Sequence, residues 1–218
     1  MKRINWLMII LIIVLIILNV STRLNISNSI NTIEVINDKE TILFVGDSIT
    51  DGYELDKFYS YDNKLLINSG IGGYKTTNII NRFRNLVEQY NPSKLFLMIG
   101  TNDIGSGMSK EDIVNNIKKI ISMIKEKKPN TKIYLETIYP VNNDKRKQDK
   151  RRNNKIISDI NNELKKYCKN NDVYFIDIYS HLVDEFNTLK AEYTDDGLHL
   201  NDLGYEEVTK VLKPYIEE

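Results

Sequence analysis

The sequence predicts an α/β domain built on a mostly parallel sheet with helices on both faces. Two observations carry this. Five short, nearly all-apolar runs alternate with longer segments whose apolar residues recur at three- and four-residue steps. Glycines cluster directly after the first three runs, and none of the ten lies between residues 108 and 196.

The chain begins with Met1-Lys2-Arg3 and then carries no charge from Ile4 through Thr22. Such a stretch spans about 28 Å as a helix, close to a hydrocarbon core of about 30 Å. The leading Lys2 and Arg3 should stay inside and send the rest of the chain out. Residues 1–20 are therefore expected to be a transmembrane signal-anchor, with the rest of the chain an extracytoplasmic domain. The alternative is a cleaved signal peptide and a secreted product, although no A-x-A site follows. Residues 21–40 are rich in Ser, Thr and Asn and are expected to be a linker. Residues 41–218 are the expected folded domain.

Within that domain the expected strands are 41–45, 64–67, 94–99, 132–138 and 173–176. Helical periodicity covers Thr77 to Tyr90 through Ile79, Ile80, Phe83, Leu86, Val87 and Tyr90. A second helix starts at Ser109, places Ile113, Ile117, Ile120, Ile121 and Ile124 on one face, and stops before Pro129. The third covers Gln148 to Cys168 with Ile156, Ile157, Ile160 and Leu164, and the last covers Asp202 to Ile216.

Composition excludes several functions. Thirty basic and thirty acidic residues leave zero formal charge, which argues against a nucleic-acid partner. One Cys excludes an intramolecular disulfide framework. Two His and one Cys exclude zinc sites of three histidines, four cysteines or two of each. The absence of any Gly-Lys pair excludes a Walker A loop, and Lys75 stands where a dinucleotide-binding loop needs its last glycine. Thr50 breaks the G-x-S-x-G elbow. The many Ile and Asn and the single Ala191 point to an AT-rich bacterial genome.

The loops after parallel strands share one rim, where ligands bind in such sheets. The first reads Gly46-Asp-Ser-Ile-Thr-Asp-Gly52. Ser48 at a sharp strand-to-helix turn suits a nucleophile with backbone donors nearby, and equally suits a helix cap. Asn102, in Gly100-Thr-Asn-Asp103, is either an amide donor or a turn residue. Asp196 and His199 stand three apart, so the carboxylate can accept from one ring nitrogen while the other faces outward. His181 has no carboxylate at such spacing and reads as a bystander. Lys145 to Arg152 holds six basic residues in eight and reads as a solvated helix start beside the rim.

Taken together, residues 41–218 resemble the SGNH, or GDSL-type, esterase and lipase family. The resemblance rests on four blocks in the family's order: Gly46–Gly52, Asn68-Ser-Gly-Ile-Gly-Gly73, Gly100–Asp103 and Asp196-Gly-Leu-His199. It implies a flavodoxin-like three-layer α/β/α sandwich with a five-stranded parallel sheet of order 2-1-3-4-5. It also implies Ser48 as nucleophile, His199 as base and Asp196 as orienting acid. The oxyanion donors would be the Ser48 and Gly73 N–H groups and the Asn102 amide, with Asp47 and Gly100 supporting. No metal or organic cofactor is implied. Tyr74 and Lys75 intervene before Thr76 and Thr77, a departure from many relatives. The expected substrate is a small ester or acylated glycan, with short O-acetyl groups on surface carbohydrate or peptidoglycan first. A lysophospholipase-like enzyme and a catalytically silent binding module are the alternatives.

Overall fold

The structure, a computed structural model, describes residues 21–22 and 39–218, with only the backbone at 84–88. The expected signal-anchor and nearly all of the expected linker lie outside the described residues. Among the described residues no helix is long and apolar enough to cross a membrane. The chain divides into two units at Lys39–Glu40, and Glu40–Glu218 is compact.

The second unit is a five-stranded parallel sheet in the order β2-β1-β3-β4-β5. The strands are β1 (Glu40–Gly46), β2 (Lys64–Asn68), β3 (Lys94–Met98), β4 (Lys132–Glu136) and β5 (Tyr174–Ile176). Short helices α1 (Ser48–Asp51) and α2 (Leu55–Phe58) follow β1, and α3 (Thr76–Tyr90) follows β2. Helices α4 (Thr101–Ser106) and α5 (Lys110–Lys127) follow β3, and α6 (Asn154–Lys169) follows β4. Helix α7 (Tyr179–Leu182) comes after β5, and α8 (Asp202–Glu217) closes the chain. The expected class and strand order are those observed.

The central strands are buried on both faces, as their unbroken apolar runs require. One row crosses the sheet in register. Phe44 pairs with Phe96, Phe96 with Tyr134, and Tyr134 with Tyr174. Their rings stack at centroid separations of 4.8, 4.6 and 4.8 Å. Offset stacking of this kind adds about 0.5–1.5 kcal/mol per pair beyond area burial.

Helix α5 starts where Ser109 accepts from the Asp112 N–H and buries the same isoleucines that the periodicity picked out. Helix α6 buries Ile157, Ile160 and Leu164, but Ile156 is on its exposed side. It also starts later than the periodicity suggested. Asn153 caps it by accepting from the Ile156 N–H. The basic run 145–152 is therefore not a helix start but a set of turns. Asp149 and Asn142 accept from local N–H groups and hold the backbone away from helical geometry.

Lys94, at the base of β3, is buried. Its ammonium donates to the last carbonyls of α8, those of Tyr215 and Ile216, and lies 3.4 Å from Glu40 Oε1. A cation placed there answers both the unpaired carbonyls and the helix dipole.

Because Phe96 is fully buried at the centre of the aromatic row, Phe96→Ala should lose about 3–5 kcal/mol of unfolding free energy. Urea unfolding followed by circular dichroism measures this. A loss below about 1 kcal/mol would mean the row collapses around the gap and is not a rigid element of the core.

Candidate active site

Every parallel strand ends at the same edge, so the turns after β1, β2 and β3 converge there. At the β1 turn Asp47 is wholly buried and caps α1, accepting from the Ile49 N–H at 3.0 Å. This fixes Ser48 as the first residue of the helix. Gly46 is enforced by packing, since a Cβ there would lie 2.4 Å from the Met98 carbonyl.

The β2 turn is tied onto the β1 turn. The Asn68 amide donates to the Thr50 and Tyr53 carbonyls, and its oxygen accepts from the Gly70 N–H. Gly73 adopts φ +77°, and a Cβ there would meet nothing within 4 Å. Its backbone thus borders open space beside the serine turn, because a Cβ at neighbouring Gly72 would be 4.0 Å from Ser48 Cβ. The β3 turn is fastened in its own way. Buried Asp103 accepts from the Thr76 N–H at 3.0 and 3.1 Å and from the Thr76 hydroxyl at 2.6 Å. Gly100 at φ +130° takes a conformation that few residues other than glycine adopt. That turn carries Asn102, whose Nδ2 donates to the Tyr74 carbonyl at 3.0 Å.

The segment before α8 completes the set. Ser48 Oγ and His199 Nε2 are 2.9 Å apart, and His199 Nδ1 lies 2.8 Å from Asp196 Oδ2. With Nδ1–H donating to Asp196, Nε2 is left to accept the serine hydroxyl proton. Asp196 Oδ1 accepts from the Leu198 and His199 N–H groups at 2.9 and 2.8 Å. Burial works against ionising this carboxyl, but the two backbone N–H groups and the His199 ring outweigh it and hold it at about 2. Asp47 is the opposite case. Burial pushes it up to about 7, its Oδ2 has no hydrogen-bond partner, and the Ile49 N–H offsets only part of the cost. Burial also raises Asp103, despite its bonds from Thr76.

All the residues singled out in the sequence meet in these turns except His181. That histidine sits on α7, with Nδ1 3.6 Å from Glu207 Oε1. Sequence reasoning missed the role of the basic run. Lys145 Nζ donates to the Ala191 and Thr194 carbonyls. Arg146 reaches Asp196 Oδ2 at 3.3 Å, and Arg152 reaches Asn102 Oδ1 at 3.0 Å. Asp149 accepts from both arginines. No local signal marks these partners, which lie about fifty residues away in the chain.

A flavodoxin-like sandwich with a hydrogen-bonded Ser–His–Asp chain at the carboxyl edge of its sheet is the arrangement of the SGNH hydrolases. The chain belongs to the GDSL-like Lipase/Acylhydrolase family, whose model matches residues 44–207. It is 31% identical to the N-acylneuraminate cytidylyltransferase of Escherichia coli over 183 residues, covering 79% of this chain and 40% of that protein. The chain thus spans about two fifths of that relative's length. It is 26% identical to an arylesterase of Vibrio mimicus, covering 73% of this chain and 80% of that one. A solved GDSL-like lipase from Bacteroides thetaiotaomicron superposes with a TM-score of 0.71 at 25% identity, covering 82% of this chain and 88% of the other.

The raised Asp47 carboxyl gives the protein a pH signature. Between about pH 4 and 7 the folded state keeps a proton that the unfolded state has released, so this group's contribution to stability falls as pH rises. Asp47→Asn keeps the acceptor for Ile49 and removes the titration. The buried NH2 it adds shifts stability by an amount independent of pH. Unfolding free energies at pH 4 and pH 8 should therefore show the parent losing ground to the variant as pH rises. Parallel profiles would show that Asp47 ionises in the folded state as freely as in water.

Proposed function

We propose that the protein is a serine esterase that removes short acyl groups, O-acetyl above all, from surface carbohydrate. The observation that carries the reading is the unbroken hydrogen-bonded chain Ser48–His199–Asp196 beside a turn bordering open space.

In this reading His199 takes the Ser48 proton as Oγ attacks the ester carbonyl. Asp196, ionised and pinned by two backbone N–H groups, holds the ring tautomer and stabilises the imidazolium. The tetrahedral oxyanion is received by the Ser48 and Gly73 N–H groups and by the second N–H of the Asn102 amide. His199 returns the proton to the departing alcohol. Water activated by the same ring then releases the acyl group from Ser48. No step calls for a metal or organic cofactor.

Two things support the substrate class. The chain is similar to proteins named for an N-acylneuraminate, an acylated sugar, and to one named for aryl esters. The apolar amino terminus, by its sequence, would place the enzyme outside the membrane, where acylated glycans are found.

With p-nitrophenyl acetate, Ser48→Ala and His199→Ala should each lower kcat/KM by about 1000-fold or more while leaving unfolding free energy nearly unchanged. Acetyl esters should be turned over faster than octanoyl esters. Equal rates in the parent and both variants would reduce the protein to a binding module. A preference for octanoyl would favour lipid substrates instead.

A further inference from the structure

We infer that Arg152 is a positioning residue for the oxyanion site: its guanidinium fixes which end of the Asn102 side-chain amide faces the reacting carbonyl. The inference rests on the esterase reading above.

An asparagine amide has two nearly isosteric ends with opposite chemistry. One end donates and the other only accepts. An oxyanion site gains from Nδ2 and is damaged by Oδ1, so the rotamer flip must be decided before substrate arrives. Two contacts decide it here. Nδ2 spends one hydrogen on the Tyr74 carbonyl, and Oδ1 accepts from Arg152 Nη2 at 3.0 Å. Flipping the amide would set an oxygen against that carbonyl and an NH2 against a guanidinium, making both contacts repulsive. The cation also polarises the amide and makes the remaining Nδ2–H a stronger donor.

Arg152 is itself held rigidly, as such a role requires. Its Nε donates to the Thr101 carbonyl at 2.8 Å, and Nη1 pairs with Asp149. Its side chain is only 12% exposed. The guanidinium packs against α4 where Gly105 leaves room, since a Cβ on Gly105 would be 2.3 Å from its Cζ and Nη2. These contacts draw on the planar fork of arginine, which lysine lacks.

The geometry supplies two independent ways to move the guanidinium. Arg152→Met removes it. Gly105→Ala keeps the arginine but pushes its tip aside, at a helical position where alanine is favoured. Both are compared with the parent, with Asn102→Ala and with the Asn102→Ala/Arg152→Met double variant, using the full chain and p-nitrophenyl acetate. Each single change at 152 or 105 should lower kcat about 10- to 100-fold with KM nearly constant, because the affected contact is made in the transition state. In the Asn102→Ala background, Arg152→Met should change kcat by less than about twofold, because its route of action is already gone. Arg152→Lys should not restore activity.

An undiminished kcat in both Arg152→Met and Gly105→Ala overturns the inference. So does a loss from Arg152→Met that is just as large without the Asn102 amide, which would mark a general structural role. If Arg152→Met does not fold, Gly105→Ala carries the comparison alone. Ser48→Ala separates the two levels of failure. If it is as active as the parent, the esterase reading fails. If it is inactive while the 152 and 105 variants are fully active, only the role of Arg152 fails.

Discussion

Parallel alignment is the constraint on which the rest of the structure depends. Five strands running the same way must end at one edge, and each must leave through a turn into a helix or loop. That puts residues from the first turn and from the approach to the last helix within bonding distance, though Ser48 and His199 are 151 positions apart. The buried interior makes the edge rigid. Apolar strands covered on both faces, and an aromatic row crossing four of them, leave the turns little freedom to shift.

The turns are then locked to one another by polar side chains. Asn68 ties the second turn to the first, and Asp103 ties the third to the second through Thr76. Arg146 and Arg152, sharing Asp149, span from the last turn to the third. The carboxyl groups divide into two kinds. Asp47 and Asp103 are buried structural acceptors, and burial raises them. Asp196 keeps two N–H donors, an imidazole and some solvent contact, so it stays ionised. The difference in environment suits frame-holding in one case and, on the proposed reading, charge stabilisation in the other.

What the sequence made legible was local. Apolar runs marked the strands, the first and third ended directly by glycine, because burial and turn geometry act on neighbouring residues. Ser109 marked the start of α5 because a cap acts within three residues. The Asp196–His199 pair was visible because its hydrogen bond closes within one turn. What stayed hidden was non-local. The basic run 145–152 looked like a solvated helix start because charge usually seeks water. Four of its residues instead turn toward carbonyls and side chains about fifty positions away. Ile156 belongs to the helical period, yet it sits where the covered stripe of α6 ends and is exposed. His181 has no carboxylate at short spacing, and its distant partner Glu207 was not legible in the sequence.

The central claim is that Ser48 is a nucleophile activated by His199. Covalent trapping with a p-nitrophenyl phosphonate ester tests it most directly, because the adduct forms on the attacking oxygen itself. The account predicts release of about one p-nitrophenolate per chain, a single mass increment on the peptide carrying Ser48, and a rate that collapses in His199→Ala. An adduct on any other residue, or equally fast labelling without His199, would contradict it.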